Sequence, residues 1–325
     1  MTVRGSDVVV GLYDEVTYNS TSGIDHGVKA YFAELSVVAS RTNIQPNTLT
    51  GDRSRAIPGQ GNLDVSGNLN VEIAPENVGF LLRHAIGEPA TTGNGPYTHT
   101  FRPGTLPVGM AIEKDWTSVI ASKVELFTGC RVGQATIDVP QEGAATMSLS
   151  INGADYTVGT APIDAALDDP GHSGFFASDV TVKVGGNTTT CVRQASISIN
   201  NNLDTGRYCI GGAGKRKDLP EGFADVTGSI TALFEAFTLV DAATARTDTS
   251  LEILMTKGTG AGTAGNESLS VKLDHALVEL ASPAITSPGG VEVTFNFTAY
   301  KSGATDKGLV VVLKNALDDT DGSSS

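Results

Sequence analysis

Leu63-Asp64-Val65-Ser66-Gly67-Asn68-Leu69-Asn70-Val71-Glu72-Ile73 alternates without a break. Leu63, Val65, Leu69, Val71 and Ile73 fall on one side. Asp64, Ser66, Asn68, Asn70 and Glu72 fall on the other. A period of two is that of a strand buried on one face only. The apolar side must be covered by another layer, so this stretch predicts a packed β fold. The rest of the chain agrees. In 325 residues there are 38 Gly, aromatics are only 6 %, and turn-forming residues recur throughout, which suits short strands and many turns.

The same pattern returns 161 residues later as Asp225-Val226-Thr227-Gly228-Ser229-Ile230-Thr231-Ala232. A second pair follows in the same order. Thr146-Met147-Ser148-Leu149-Ser150-Ile151-Asn152 matches Glu292-Val293-Thr294-Phe295-Asn296-Phe297-Thr298 at an offset of 146, with Gly143 and Gly289 before them at that offset. Val28 to Ser40 and Cys191 to Asn200 correspond more loosely as opening strands. Two ordered matches predict a tandem duplication. We expect one β domain over 1–157, a linker over 158–174 centred on Ala161 to Gly174, a second β domain over 175–317, and an acidic, Ser-rich flexible tail over 318–325. The shorter second offset places an insertion of about 15 residues in the first half, at Gly87 to Pro103.

Each half also offers a helix after its alternating strand. In the first, Pro75 and Glu76 suit a helix start. Val78, Leu81, Leu82, Ala85 and Ile86 share a face, and Gly87 and Pro89 stop it. The second, Thr238 to Arg246, is shorter, with Thr238 as its expected cap.

Charge is unevenly placed. The net charge is −14, which argues against a general nucleic-acid binder. The polar sides of the four alternating strands carry no Lys or Arg. Such a face lets a polyphosphate pass without gripping it, because Lys and Arg are what hold phosphate. Basic residues gather instead in two loops of about 20 residues, Ser40 to Gly61 with Arg41, Arg53 and Arg55, and Asn200 to Gly222 with Arg207, Lys215, Arg216 and Lys217. Basic loops on an acidic body suit head-to-tail association of copies.

Chemistry is poorly supported. Gly260-x-Gly262-x-x-Gly265 is followed by an alternating strand at Ser268 to Leu273 where a dinucleotide site needs a helix, so it reads as a hairpin loop. Gly214-Lys215 lacks the earlier glycine and the Ser/Thr of a phosphate loop. Cys130, Cys191 and Cys209 are too scattered for a zinc site or disulfide framework, and the five His show no ligand spacing. His84 reads as a surface or core-edge residue, and Asp274-His275 as an acid–imidazole pair with no nucleophile elbow. No cofactor, no metal and no catalysis are expected. No apolar run approaches the roughly 20 residues of a membrane helix. Met1 to Gly5 lacks the basic start of a signal peptide, so synthesis in the cytoplasm is expected.

The order of strand, long loop, D-V-[ST]-G strand, helix and later strands ending in Val291-Glu292-Val293-Thr294-Phe295-Asn296-Phe297-Thr298-Ala299-Tyr300 resembles the tail tube proteins of siphophages. Ile57-Pro58-Gly59, Pro96-Tyr97-Thr98-His99-Thr100-Phe101 and Val310-Val311-Val312-Leu313-Lys314-Asn315 add to the likeness, which spans roughly residues 5–317. The resemblance implies a mainly β chain, a β-sandwich or half-barrel tube domain with a flanking α-helix. It implies a virion location, assembly into stacked rings, and a polar, acidic lumen that carries phage DNA outward. Implied partners are other copies, a tape measure protein, a tail terminator and distal tail proteins. The lumen-facing candidates are Asp64, Ser66, Asn68, Asn70, Glu72, Ser148, Ser150, Asp225, Thr227, Ser229, Thr231, Thr294 and Asn296. The ring-stacking candidates are Arg53, Arg55, Lys215, Arg216 and Lys217. With two units per chain, a trimeric ring with pseudo-sixfold symmetry is expected in place of a hexamer. The competing expectations are a β-rich virion surface or decoration module that binds host glycan or protein, and a hydrolase on a β scaffold. The first would want exposed aromatics, and Trp116 is the single tryptophan.

Overall fold

The computed structural model describes residues 4–24, 26–49, 51–189, 191–285, 289–303 and 306–318; the expected tail beyond Asp318 lies outside them. Among the described residues the chain is mainly antiparallel β with two short α-helices. The alternating stretch that begins at Leu63 lies in the strand Gly59–Glu72, and Leu63, Val65, Leu69 and Val71 are buried there as the alternation requires. Each such side chain is worth about 1.5–3 kcal/mol of burial.

A single sheet runs through both halves. Its order is Val38–Ile44, Gly59–Glu72, Thr146–Gly153, the second part of Val124–Val139, Val192–Asn200, Asp225–Leu233, Glu292–Ala299 and the end of Ser268–Val278. The halves join where Gln134 to Val139 pairs with Ala195 to Asn200. Further strands supply a second layer. In the first half these are Val28–Lys29, Val9–Asp14, Met110–Asp115, the beginning of Val124–Val139, and Asp155–Gly159. In the second they are Asn187–Thr188, Val180–Val184, Thr249–Thr256, the beginning of Ser268–Val278, and Leu309–Asn315. The pairing order thus runs twice. Both runs are preceded by a short 3-10 turn, Gly5–Asp7 and Ala177–Asp179.

The first helix, Val78–Ile86, begins three residues after Pro75, because Ala74 to Asn77 forms a turn in which Asn77 and Val78 donate to the Ala74 carbonyl. It is buried on nearly every side, with Arg83 the partly exposed exception. Leu82, Ala85 and Ile86 pack against Ile137 and Ile197, on either side of the junction, around a cavity of only about 10 Å³. Gly87, at φ 125°, ends the helix in a conformation that L side chains avoid. The second helix, Thr238–Ala245, is largely exposed and buries Ala243 alone. Its N-cap is Phe237 rather than Thr238, with no side-chain cap, and Arg246 closes it in the left-handed region.

The expected insertion is a hairpin, Ala90–Gly93 with Tyr97–Phe101, that adds itself to Leu309–Asn315 of the other half. His99 is buried in that strap, against Thr91, Asn315 and the Leu317 carbonyl. Residues 161–174 hold no strand but are tied down. Lys29 and Gly27 exchange backbone hydrogen bonds with Asp168, and Ile163 donates to Glu113.

Candidate functional site: one polar sheet face and two basic loops

Pairing register carries the alternation from strand to strand, so the middle rows of one face of the long sheet are polar, with Val38 opposite Ser66, Leu277 opposite Thr298 and Leu233 opposite Glu292 at its margins. One row reads Asn70, Ser148, Thr136, Ser198, Thr227, Thr298. The next reads Glu72, Thr146, Asp138, Ser196, Ser229, Asn296. Asn68, Ser150, Gln134, Asn200 and Asp225 form a third, with Thr231 beside Thr294 at the far side. Every lumen-facing candidate lies on this face. The side chains bond to one another: Ser148 to Asn70 at 2.6 Å, Thr136 to Ser198 at 3.0 Å, Thr231 to Thr294 at 2.8 Å, Asn296 to Glu279 at 3.1 Å. These rows contain no Lys or Arg. At the margins of the face, Arg131 stands opposite Asn152 and is ion-paired with Glu221, Arg216 is ion-paired with Asp64, and Arg193, at the bulge before Gln194, is ion-paired with Glu292.

Gln134, Thr136, Asp138, Ser196, Ser198 and Asn200 belong to the face and were missed. The signal was present, since Ala135, Ile137 and Val139, and Ala195, Ile197 and Ile199, alternate with them and are buried.

The two basic loops behave differently. Val38–Ile44 and Gly59–Glu72 form a hairpin whose tip, 45–58, holds Arg53 and Arg55, both exposed, with Leu49 96 % and Ile57 90 % exposed. The second loop is folded back on the first half. Leu63 donates to the Gly214 carbonyl, Tyr208 Oη to the Leu63 carbonyl, and Lys215 Nζ lies 2.5 Å from Asp155. Arg216 is 6 % exposed. It donates to the carbonyls of Thr205, Val65 and Gly153 and is ion-paired with Asp64. Two predicted sites, a lumen candidate and a stacking candidate, are therefore each other's partners inside one chain. Lys217 anchors the loop through its backbone, and Arg207 pairs with Asp218.

Several titratable groups elsewhere are held by partners within the fold. Glu15, buried, accepts N–H bonds from Gly129 and Asn19; burial pushes its carboxyl up to about 7, although those bonds and Arg131 oppose the rise. Burial likewise pushes the Lys114 ammonium down, against Glu125. His84 is 2 % exposed and bonded to Asp14, deeper than a core-edge residue. His275 turns from adjacent Asp274 to Asp248 and Asp306; the Asp248 bond holds its imidazolium above the usual range. Gly260 to Gly265 lies in the turn between Thr249–Thr256 and Ser268–Val278. Trp116 donates to Glu125 and is partly buried. Cys130 is buried, while Cys191 and Cys209 are exposed. Among the described residues no group of three or more His, Cys, Asp or Glu is placed to hold a metal ion. Among the described residues no helix is long and apolar enough to cross a membrane.

No curated protein matches this chain. A family model described as Phage tail tube protein matches residues 5–299, nearly the whole of the described fold. With that match over a mainly β chain, the protein belongs to the phage tail tube family and is a structural subunit of the virion's tail.

Proposed function

We propose that three copies of this chain close into a ring, that rings stack into a tube, and that the polar sheet face lines the channel through which DNA leaves the capsid. The observation that carries this reading is the set of polar rows that run across both halves of the sheet. Its middle rows hold Glu72, Asp138 and Asp225 without a lysine or arginine, and the arginines at its margins, Arg131, Arg193 and Arg216, are each ion-paired with a carboxylate of this chain. DNA phosphates find no cation to hold them there, and the hydroxyls and amides present a wet, neutral-to-acidic wall. The repeated pairing order supports two tube units per chain, one over 1–157 and one over 175–317, and hence three chains where single-unit subunits would need six. A covalent junction between units raises their local concentration and fixes every second contact of the ring. Stacking between rings falls to the exposed loop tips, where Leu49 and Arg53 in one half and Ile210 and Lys217 in the other reach outward. A tape measure protein inside the channel, and terminator and distal tail proteins at its ends, complete the set of partners.

Electron microscopy of the purified chain at rising concentration tests the assembly. Hollow tubes with threefold averages are expected, and sixfold averages with one chain per sixth would overturn the stoichiometry. For the channel, Asn68→Lys with Ser229→Lys places two cations on the face at corresponding positions. Tubes should still form, and DNA ejection should slow. Unchanged ejection through tubes carrying both lysines would reject the channel assignment.

A further inference from the structure

The junction inside the chain predicts the junction between chains. Gln134 to Val139 pairs with Ala195 to Asn200 in the order Ala195↔Val139, Ile197↔Ile137, Ser198↔Thr136, Asn200↔Gln134. Both sides of that junction have counterparts whose outer edge pairs with no strand among the described residues. On one side, the Glu34–Leu35 and Val38–Ile44 strands bond to Gly59–Glu72 alone, leaving their other edge open. On the other, the strand Ser268–Val278 stops at its pairing with Glu292–Ala299, and Leu280 to Ile285 continues past it unpaired.

The correspondence fixes the register. Val278 faces Phe297 as Val132 faces Ile151, an offset of 146 that carries Gln134–Val139 onto 280–285. Ser40 faces Asp64 as Asn200 faces Asp225, which carries Ala195–Asn200 onto 35–40. We infer that a second copy of this chain docks here, its Leu280 to Ile285 pairing antiparallel with Leu35 to Ser40 in the register Leu35↔Ile285, Val37↔Pro283, Val38↔Ser282, Ser40↔Leu280. This rests on the ring reading above and names its lateral contact.

Three observations support that register. First, side chains meet their own kind. Ala39 and Ala281 both pack on the core, and Leu35, partly buried, would cover Ile285, which is 86 % exposed. Val38 and Leu280, 56 % and 66 % exposed at the two open edges, become diagonal neighbours. Second, the proline is accommodated. Ser36 donates to the Asn68 carbonyl, so the next residue, Val37, turns its backbone to the open edge. The Val37 carbonyl there already accepts from Lys114 Nζ at 2.6 Å. Pro283, which has no N–H to offer, is the residue this register sets opposite. A proline in an edge segment also discourages pairing with wrong strands.

Third, the loops repeat. Arg55 and Arg216 stand at equal distances before Asp64 and Asp225, each followed by an aliphatic–proline pair, Ile57-Pro58 and Leu219-Pro220. Arg216 is seated across the internal junction on Asp64 and the Val65 and Gly153 carbonyls, and Leu219 is 1 % exposed. The equivalent seat across the external junction is Asp225 with the Val226 and Ala299 carbonyls of the neighbour. Docking there brings Arg55 to a carboxylate and covers Ile57, the exposed twin of Leu219.

Disulfide trapping tests the register. In a Cys191→Ser, Cys209→Ser background, Val38→Cys with Ser282→Cys places thiols on facing residues of adjacent strands, within disulfide reach. Oxidised tubes should lose their single-chain band on non-reducing gels and gain a ladder ending at the ring's chain number. Val38→Cys with Ala284→Cys, displaced along the strand, should retain it. Normal tubes in which V38C/S282C stays uncrosslinked would overturn this register while leaving the ring reading intact. Failure of the unaltered chain to form rings would instead overturn that reading. If the cysteine variant does not fold, hydrogen exchange on the unaltered chain decides. Amides of Val37, Ala39, Ala281 and Ile285 should gain protection on passing from subunit to tube, and no gain at these positions would reject the pairing.

Discussion

The two halves use one pairing order, yet their basic loops end up in opposite states. The loop after Asn200 is folded onto its own chain, with Arg216 enclosed between Asp64 and three carbonyls. The corresponding hairpin tip before Gly59 projects with Arg53, Arg55, Leu49 and Ile57 exposed. The difference follows from what lies next door. The second half has the first half beside it, whereas the first half ends at an open strand edge. A contact already made within the chain therefore stands as a template for one made on assembly, and the asymmetry marks where assembly adds its free energy.

The largest effect should come from the anchored side. Arg216→Ala removes a guanidinium that is 6 % exposed and leaves the Val65 and Gly153 carbonyls without their donor. Breaking a buried pair by removing one partner costs about 3–5 kcal/mol, and the half-exposed Asp64 places this case at the low end, about 3 kcal/mol. Urea unfolding of the unassembled subunit measures it. A loss below about 1 kcal/mol would mean that the loop docks without its arginine, and the comparison between the loops would lose its physical basis.

A second contrast lies at matching positions in the two back layers. In the first half, the Gly129 N–H is bonded by Glu15, whose pKa burial raises to about 7. In the second half, the corresponding place is His275, held above the usual imidazole range by Asp248. Both groups bind protons more tightly folded than unfolded. Glu15 thus contributes stability that is complete below its ordinary carboxylate pKa near 4.5 and is lost as pH rises through about 7. The swing is on the order of 3 kcal/mol. His275 acts in the same direction but higher, its contribution present below 6.5 and lost above its raised folded pKa. The melting temperature of the subunit should fall between pH 5 and pH 8, roughly the window these two shifts define. Glu15→Gln should flatten most of that slope, and His275→Gln a smaller part at its upper end. A slope unchanged in Glu15→Gln would remove Glu15 as its source.

Much of this architecture was legible in the sequence because strict alternation in a strand buried on one face leaves little freedom. Gly59–Glu72, Thr146–Gly153, Asp225–Leu233 and Glu292–Ala299 were readable for that reason, and so was the first helix with its Gly87 stop. What was not legible depends on long-range pairing. Nothing local in Arg216 distinguishes it from Arg55; only the arrival of the Asp64 and Gly153 strands, more than 60 residues away, buries one and leaves the other outside. His84 misled for a similar reason. It sits beside Arg83 in a helix that reads as amphipathic, and Asp14, 70 residues earlier, supplies the partner that permits its burial. The pairing of the insertion at Gly87 to Pro103 was not legible, because its strand partner, Leu309–Asn315, lies at the other end of the chain.

The smallest expected effect on the subunit is the most discriminating one. Arg55 is exposed on a hairpin tip, so Arg55→Ala should change subunit stability by no more than about 0.5 kcal/mol, the usual range for a surface substitution. Its twin at position 216 should cost several times as much, although the two arginines occupy equivalent places in the repeat. On assembly the order should reverse. Folded Arg55→Ala subunits should form tubes only at raised concentration, because each lateral contact lacks the cation that Asp225 of the neighbour is placed to receive. Arg55→Lys, with charge but without the planar fork, should restore assembly in part. Subunits with normal unfolding curves and tubes at the unaltered concentration would show that the exposed loop contributes nothing sideways, and its function would then lie in the contact between rings.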